Sequence, residues 1–106
     1  MGLFGSASGK DVDDFATSLA DEVFRLRPPE GKAGPLNPGV SLKYLEQRID
    51  ALFATATAFR KQHSLGIYKK ARLANSLRWA LKERGYEDRL VEMITEKLVL
   101  ALARRD

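Results

Sequence analysis

Residues 42–63 read LKYLEQRIDALFATATAFRKQH, and the spacing of their apolar side chains decides the fold. Leu42, Leu45, Ile49, Leu52, Ala56 and Phe59 recur by three and four, with Phe53 widening the stripe. That period belongs to a helix with one buried face, because a turn takes about 3.6 residues. The run covers nearly three heptads. Such a seam serves a bundle helix within one domain, and it also pairs two chains in a coiled coil, which needs ~3–4 heptads. The bundle is the expectation taken forward. Ser41 stands at the N-cap position, where a hydroxyl accepts from free amides of the first turn.

Downstream, Ser64-Leu65-Gly66 interrupts the pattern. Gly66 is expected to take the left-handed conformation that ends a helix. A third helix is predicted over 67–84, closed by Gly85, with Leu73, Ala74, Leu77, Ala80 and Leu81 on one side and Ile67 near the edge. A fourth is predicted over 87–104, its inner face made of Leu90, Val91, Ile94, Leu98, Ala101 and Leu102. Glu87 and Asp88 suit its positive end, and Arg104 and Arg105 its negative end. Short connections predict antiparallel neighbours among these three helices.

Upstream, Val12, Phe15, Ala16, Leu19, Val23 and Leu26 form an apolar stripe over 12–27. Asp11 is expected to cap it by accepting from the Asp14 amide, and Pro28-Pro29 stops it because neither proline donates the next backbone bond. Residues 28–40 hold four prolines and three glycines without periodicity, and read as a linker. Residues 1–10 are rich in Gly and Ser and read as a flexible N-terminus. The fold class is therefore all-α: one domain over 1–106, a small bundle of about four helices with a Pro/Gly-rich linker after the first.

Bulk composition narrows the function classes. Hydrophobic residues make up 44% and charged residues 30% of 106, an ordinary globular balance. There is no cysteine, hence no disulfide framework and no thiolate chemistry, which fits a reducing cytoplasm. No apolar run approaches the ~20 residues of a membrane span, and Met1-Gly2-Leu3-Phe4-Gly5-Ser6 lacks the basic segment and long apolar core of a secretory leader. The same six residues satisfy the N-myristoylation pattern at Gly2, but no basic cluster follows to give the second signal that stable membrane anchoring requires. No catalytic set, phosphate loop or dinucleotide fingerprint is present, and the expectation is a protein that is not an enzyme, with no cofactor and no small-molecule substrate. The single histidine, His63, has no Cys, Asp or Glu at ligand spacing. It is expected to stabilise the last carbonyls of its helix rather than hold a metal.

The net charge of +4 conceals its distribution. Residues 60–84 carry eight cations against Glu83 alone, while 1–59 sum to −2 and 85–106 to −1. Within that basic segment, Tyr68, Arg72, Asn75 and Trp79 follow one another by four, three and four, flanked by Lys69 and Lys82. They fall opposite the apolar side of the third helix. Three readings stay open. The plainest buries Tyr68 and Trp79 beneath the first helix, whose carboxylates would then neutralise part of the charge. A second makes the stripe a protein contact, since Trp, Tyr and Arg are common interface anchors. The third makes it a nucleic-acid surface, with cations on phosphates and aromatic rings on unpaired bases. A separate surface lies at the end of the fourth helix, where Met93, Val99 and Leu100 fall off the inner stripe. Contiguous exposed apolar patches are unusual on monomers, so a cover is expected there, from the first helix or a second copy. The function expected overall is a helical protein–protein interaction module, with a protein partner or a homodimer, and nucleic-acid binding as the alternative.

Overall fold

The computed structural model describes residues 8–26 and 42–103. The expected linker at 28–40, the Ser41 cap, Gly2 and the basic end at Arg104 and Arg105 lie outside them. The described residues form four helices: α1 (Gly9–Leu26), α2 (Leu42–His63), α3 (Ile67–Glu83) and α4 (Asp88–Ala103). No strand occurs among the described residues, and the chain is an all-α bundle.

α1 begins three residues earlier than its apolar stripe implies, and Asp11 is not its cap. The Ser8 hydroxyl accepts from the Asp11 amide at 3.1 Å while the Asp11 carboxylate accepts from the Ser8 amide at 3.0 Å. This reciprocal capping box satisfies two backbone donors at once. The bond from the Ser8 amide holds the Asp11 carboxyl below the ordinary carboxylate range.

The two tight turns are built alike. At the end of α2, Ser64 takes positive φ (49°), its amide bonds the Lys61 carbonyl, and the Leu65 amide bonds the Arg60 carbonyl at 3.1 Å. At the end of α3, Gly85 takes positive φ (94°), its amide bonds the Lys82 carbonyl, and the Tyr86 amide bonds the Leu81 carbonyl. Both are Schellman closures, in which an apolar residue after the left-handed position packs back on the helix. Leu65 and Tyr86 are accordingly buried. The left-handed residue after α2 is thus Ser64, not Gly66, which is extended and precedes α3 as its N-cap.

The helices close into a ring in which α1 packs on α3, α3 on α4, α4 on α2 and α2 on α1. Their directions follow from the cross-links. Asp13 and Asp21 of α1 meet Arg72 and Arg84 of α3 in the same order, so these two run parallel. Lys97 of α4 meets Asp50 of α2 at 3.2 Å, and the Thr57 hydroxyl donates to the Ala101 carbonyl at 3.2 Å, which makes that pair parallel as well. α1 and α2 are antiparallel, with Phe15 and Phe59 stacked at 4.1 Å between ring centroids. α2 and α3, expected as packed neighbours, instead stand across the diagonal. The short turn between them reverses the chain, but α3 turns its apolar side to α1 and α4.

The core draws on every helix, with Leu19, Phe53, Leu77 and Leu98 among its largest members, all at most 2% exposed. Each interior position of α3 expected from periodicity is buried, as are five of the six on α4, with Leu90 packed at the margin. Phe53 is the largest fully buried side chain. It is the centre of α2's contact, not its fringe.

Candidate functional site

α3 is flanked by α1 on one side and α4 on the other, and both flanks are braced by charge. On the α1 side, Arg72 gives Asp13 two bonds, Nε to Oδ1 at 3.1 Å and Nη2 to Oδ2 at 2.9 Å, and the Ser76 hydroxyl donates to Oδ1 at 2.7 Å. The fork geometry matches guanidinium to carboxylate. Arg72 and the Ser76 hydroxyl together hold the Asp13 carboxyl down at about 2, and the same bond raises the Arg72 guanidinium above its ordinary value. Gly9 is part of this arrangement: a Cβ there would stand 2.7 Å from the guanidinium carbon. Further along, Arg84 bonds Asp21 and also donates to the Ala80 carbonyl. On the α4 side, Arg78 meets Glu92 at 2.7 Å.

Between these braces lies the face that looks away from the core. Tyr68 is 73% exposed and Trp79 58%. The reading that buries both beneath α1 is therefore overturned: α1 covers the flank marked by Ser76 and Arg72, and leaves the outer side of α3 open. Asn75 is exposed between the two aromatics, one turn from Trp79 and two from Tyr68, and the Lys82 ammonium lies 5.8 Å from the centroid of the Trp79 ring, a cation–π distance. Tyr68, Asn75, Trp79 and Lys82 share this face with Arg72 at its α1 edge. Lys69 does not belong to it. It is half-buried and sits about 100° further round the helix from Tyr68, toward α1.

An open groove of about 450 Å³ runs along the same face, lined by Asp13, Tyr68, Ala71, Arg72, Asn75 and Ser76. The small side chain of Ala71 and the locked Arg72–Asp13 pair both belong to its lining. Ala71 in this role is missed by sequence reasoning. A small exposed residue in a helix carries no signal until its large neighbours are seen standing around it.

The second expected surface divides. Met93 is not part of an exposed patch, since it is half-buried against the core. Val99 and Leu100 are exposed. They follow each other in sequence and so point about 100° apart, which spreads them over the outer side of α4. Ile67, expected at the edge of the α3 stripe, stands almost wholly in solvent.

His63 is half-buried in the last turn of α2, its ring 4.5 Å from that of Phe59 and tilted by 48°, at the end of the row that begins with Phe15. Its Nδ1 is buried without a hydrogen-bond partner. Among the described residues no three His, Cys, Asp or Glu side chains gather closely enough to hold a metal ion. Nor is any helix among them long and apolar enough to cross a membrane.

Fold and site together define a class: a four-helix bundle that keeps an aromatic, amide and cationic face clear of its own core. Compared with known proteins, the chain matches no family model, no curated protein and no solved structure.

Proposed function

We propose that this protein is a non-enzymatic interaction module that binds a protein partner through the outer face of α3. One observation carries the reading: the chain's single tryptophan, Trp79, is 58% exposed on the side of α3 opposite the core, with Tyr68 about three turns away on the same face. A monomer gains nothing from holding two large aromatic side chains in water, whereas burying such rings against a partner contributes much of the energy of a typical interface. The face is also pre-ordered. Arg72 is tied to Asp13, whose carboxylate is also held by the Ser76 hydroxyl, before any partner arrives, which reduces the side-chain entropy lost on binding.

The charge distribution weighs against nucleic acid. Of the eight cations in 60–84, Arg72, Arg78 and Arg84 are each engaged by a carboxylate, which leaves fewer for phosphates. Affinity capture from an extract of the source cells, using the full chain alongside Trp79→Ala and Tyr68→Ala, tests the proposal. Specific proteins retained by the wild type are expected to be lost with both variants. Capture that neither substitution alters overturns the reading. A fluorescence titration with DNA and RNA at two salt concentrations addresses the other class of partner, and tight binding that weakens steeply with salt would replace the proposal with nucleic-acid recognition.

A further inference from the structure

We infer that the groove on α3 is the receptor for Trp79 of a second copy of this chain, so that two α3 helices pair antiparallel about a two-fold axis at Asn75. The inference rests on the reading of α3 as a protein-binding face, and names the partner.

The argument is one of self-complementarity. α3 spans Ile67–Glu83, and Asn75 is its midpoint. A two-fold axis at that point carries residue 75 + n onto residue 75 − n of the other copy, so the pairing uses the whole helix, about 25 Å at ~1.5 Å per residue. An isologous contact requires every residue to meet its mirror position, and the exposed residues of α3 meet that demand. Trp79 arrives within about 1.5 Å along the axis, and about 20° around it, of Arg72 on the other copy. Its indole therefore comes down on the groove lined by Tyr68, Ala71, Arg72 and Asn75. The groove, at about 450 Å³, is large enough for an indole. The Arg72 guanidinium, fixed through Nε and Nη2 to Asp13, presents a fixed cationic plane to the incoming ring. Arg stacked on Trp is the most favourable form of cation–π contact.

The other pairs follow the same rule. Lys82 of each copy lands on Tyr68 of the other, an ammonium against an aromatic face. Arg78, already matched to Glu92, falls beside the small Ala71 of the other copy. Asn75 meets itself on the axis, where two side-chain amides exchange reciprocal donor–acceptor bonds. A lone Asn at such a seam position fixes register. Each aromatic faces a cation and the polar residue faces its own kind. A register shifted by one helical turn sets Trp79 over Asn75 and away from the guanidinium. Contact through one helix face stands at the small end of specific interfaces, below about 1,200 Å² in total, so the expected dissociation constant is on the order of micromolar.

Sedimentation equilibrium of the full chain across the micromolar range tests this. The mass is expected to rise from one copy to two with concentration, and the Trp79 emission, unobscured by any other tryptophan, to shift to shorter wavelength in step. Trp79→Ala is expected to weaken the dimer at least about 30-fold, as for an interface anchor, while far-ultraviolet circular dichroism stays that of the wild type. Because the chain has no cysteine, Asn75→Cys adds a single thiol on the axis. Facing helices at an interaxial distance of roughly 8–10 Å bring such Cα atoms within disulfide reach. Oxidation is expected to link Asn75→Cys into dimers much faster than Gln47→Cys, an exposed control on α2. A chain that stays single at the highest concentration overturns the inference, as does a dimer indifferent to Trp79→Ala or an Asn75→Cys that links no faster than the control. A chain that stays single while its capture of other proteins still depends on Trp79 overturns the second copy alone, and leaves the interaction-module reading standing.

Discussion

The tie between Arg72 and Asp13 makes a pH-dependent prediction. Replacing Asp13 with Asn keeps the shape of the side chain and removes its charge, so the guanidinium loses a forked partner and the Ser76 hydroxyl loses its strongest acceptor. The Asp13 carboxyl is held at about 2, against an ordinary 3.8. Taken at face value, that difference corresponds to roughly 2.4 kcal/mol, at 1.36 kcal/mol per unit. The Asp13 and Arg72 side chains are 42% and 38% exposed, however, and solvent screening reduces the worth of such a pair to about 1 kcal/mol. The sign follows from the direction of the displacement. A carboxyl whose pKa is depressed in the folded state adds stability above the unfolded value, near pH 4, and loses it as pH falls through about 2. The assay is urea denaturation of wild type and Asp13→Asn at pH 7, 5, 3 and 2, followed by circular dichroism. The variant is expected to be less stable by about 1 kcal/mol at pH 7 and pH 5, and the gap to close between pH 3 and pH 2. A gap that persists unchanged at pH 2 would show that Asn disturbs packing rather than charge. No gap at pH 7 would refute the pairing itself. A double-mutant cycle with Arg72→Gln separates the pair from any effect on the α1 dipole.

Three further outcomes follow from particular residues. Ser64→Gly is expected to raise stability by about 0.5–1 kcal/mol, because a residue with a Cβ is held at positive φ there, while Gly85→Ala is expected to lower it by about 1 kcal/mol for the converse reason; thermal melts check both. Phe53→Ala empties the centre of the core and is expected to cost about 3–5 kcal/mol in chemical denaturation. Gly9→Ala places a Cβ against the Arg72 guanidinium and displaces it from Asp13. The expected readout is a rise of the Asp13 pKa from about 2 toward its ordinary value in an NMR titration.

Much of the architecture was legible because it depends on a single periodic signal. The interiors of α2, α3 and α4 could be read from three-and-four spacing alone, and the burial of Leu73, Leu77, Leu81, Ile94 and Leu98 is that spacing realised. The ends were less legible, since they depend on side-chain bonds rather than on period. Gly9 and Lys10 are not apolar, so the first turn of α1 is silent in a hydrophobic pattern. The Ser8-x-x-Asp11 box was the available signal. The turn after α2 presented a glycine in the wrong place. What selects Ser64 is the apolar residue that follows it, since Leu65 must be positioned to pack back on α2, just as Tyr86 follows Gly85. The exposure of Tyr68 and Trp79 could not be read at all, because it turns on where a distant helix docks.

That docking is settled by a few polar matches. Charge alone is nearly degenerate: α1 run in the opposite direction would set Asp21 near Arg72 and Asp13 near Arg84, with the same two attractions. Two small residues break the tie. Ser76 lies one turn beyond Arg72 on the α1 flank of α3, so a carboxylate at Arg72 gains a third bond. Gly9 lies one turn before Asp13 on α1, where the absence of a side chain lets the guanidinium lie against the backbone. A reversed α1 would bring neither feature to the pair. Once α1 is held parallel to α3 on that flank and α4 is tied to the other through Arg78 and Glu92, both sides of α3 are occupied, and among the described residues no further element covers its outer face. The exposure of Trp79 is thus a consequence of how firmly its neighbours are fixed.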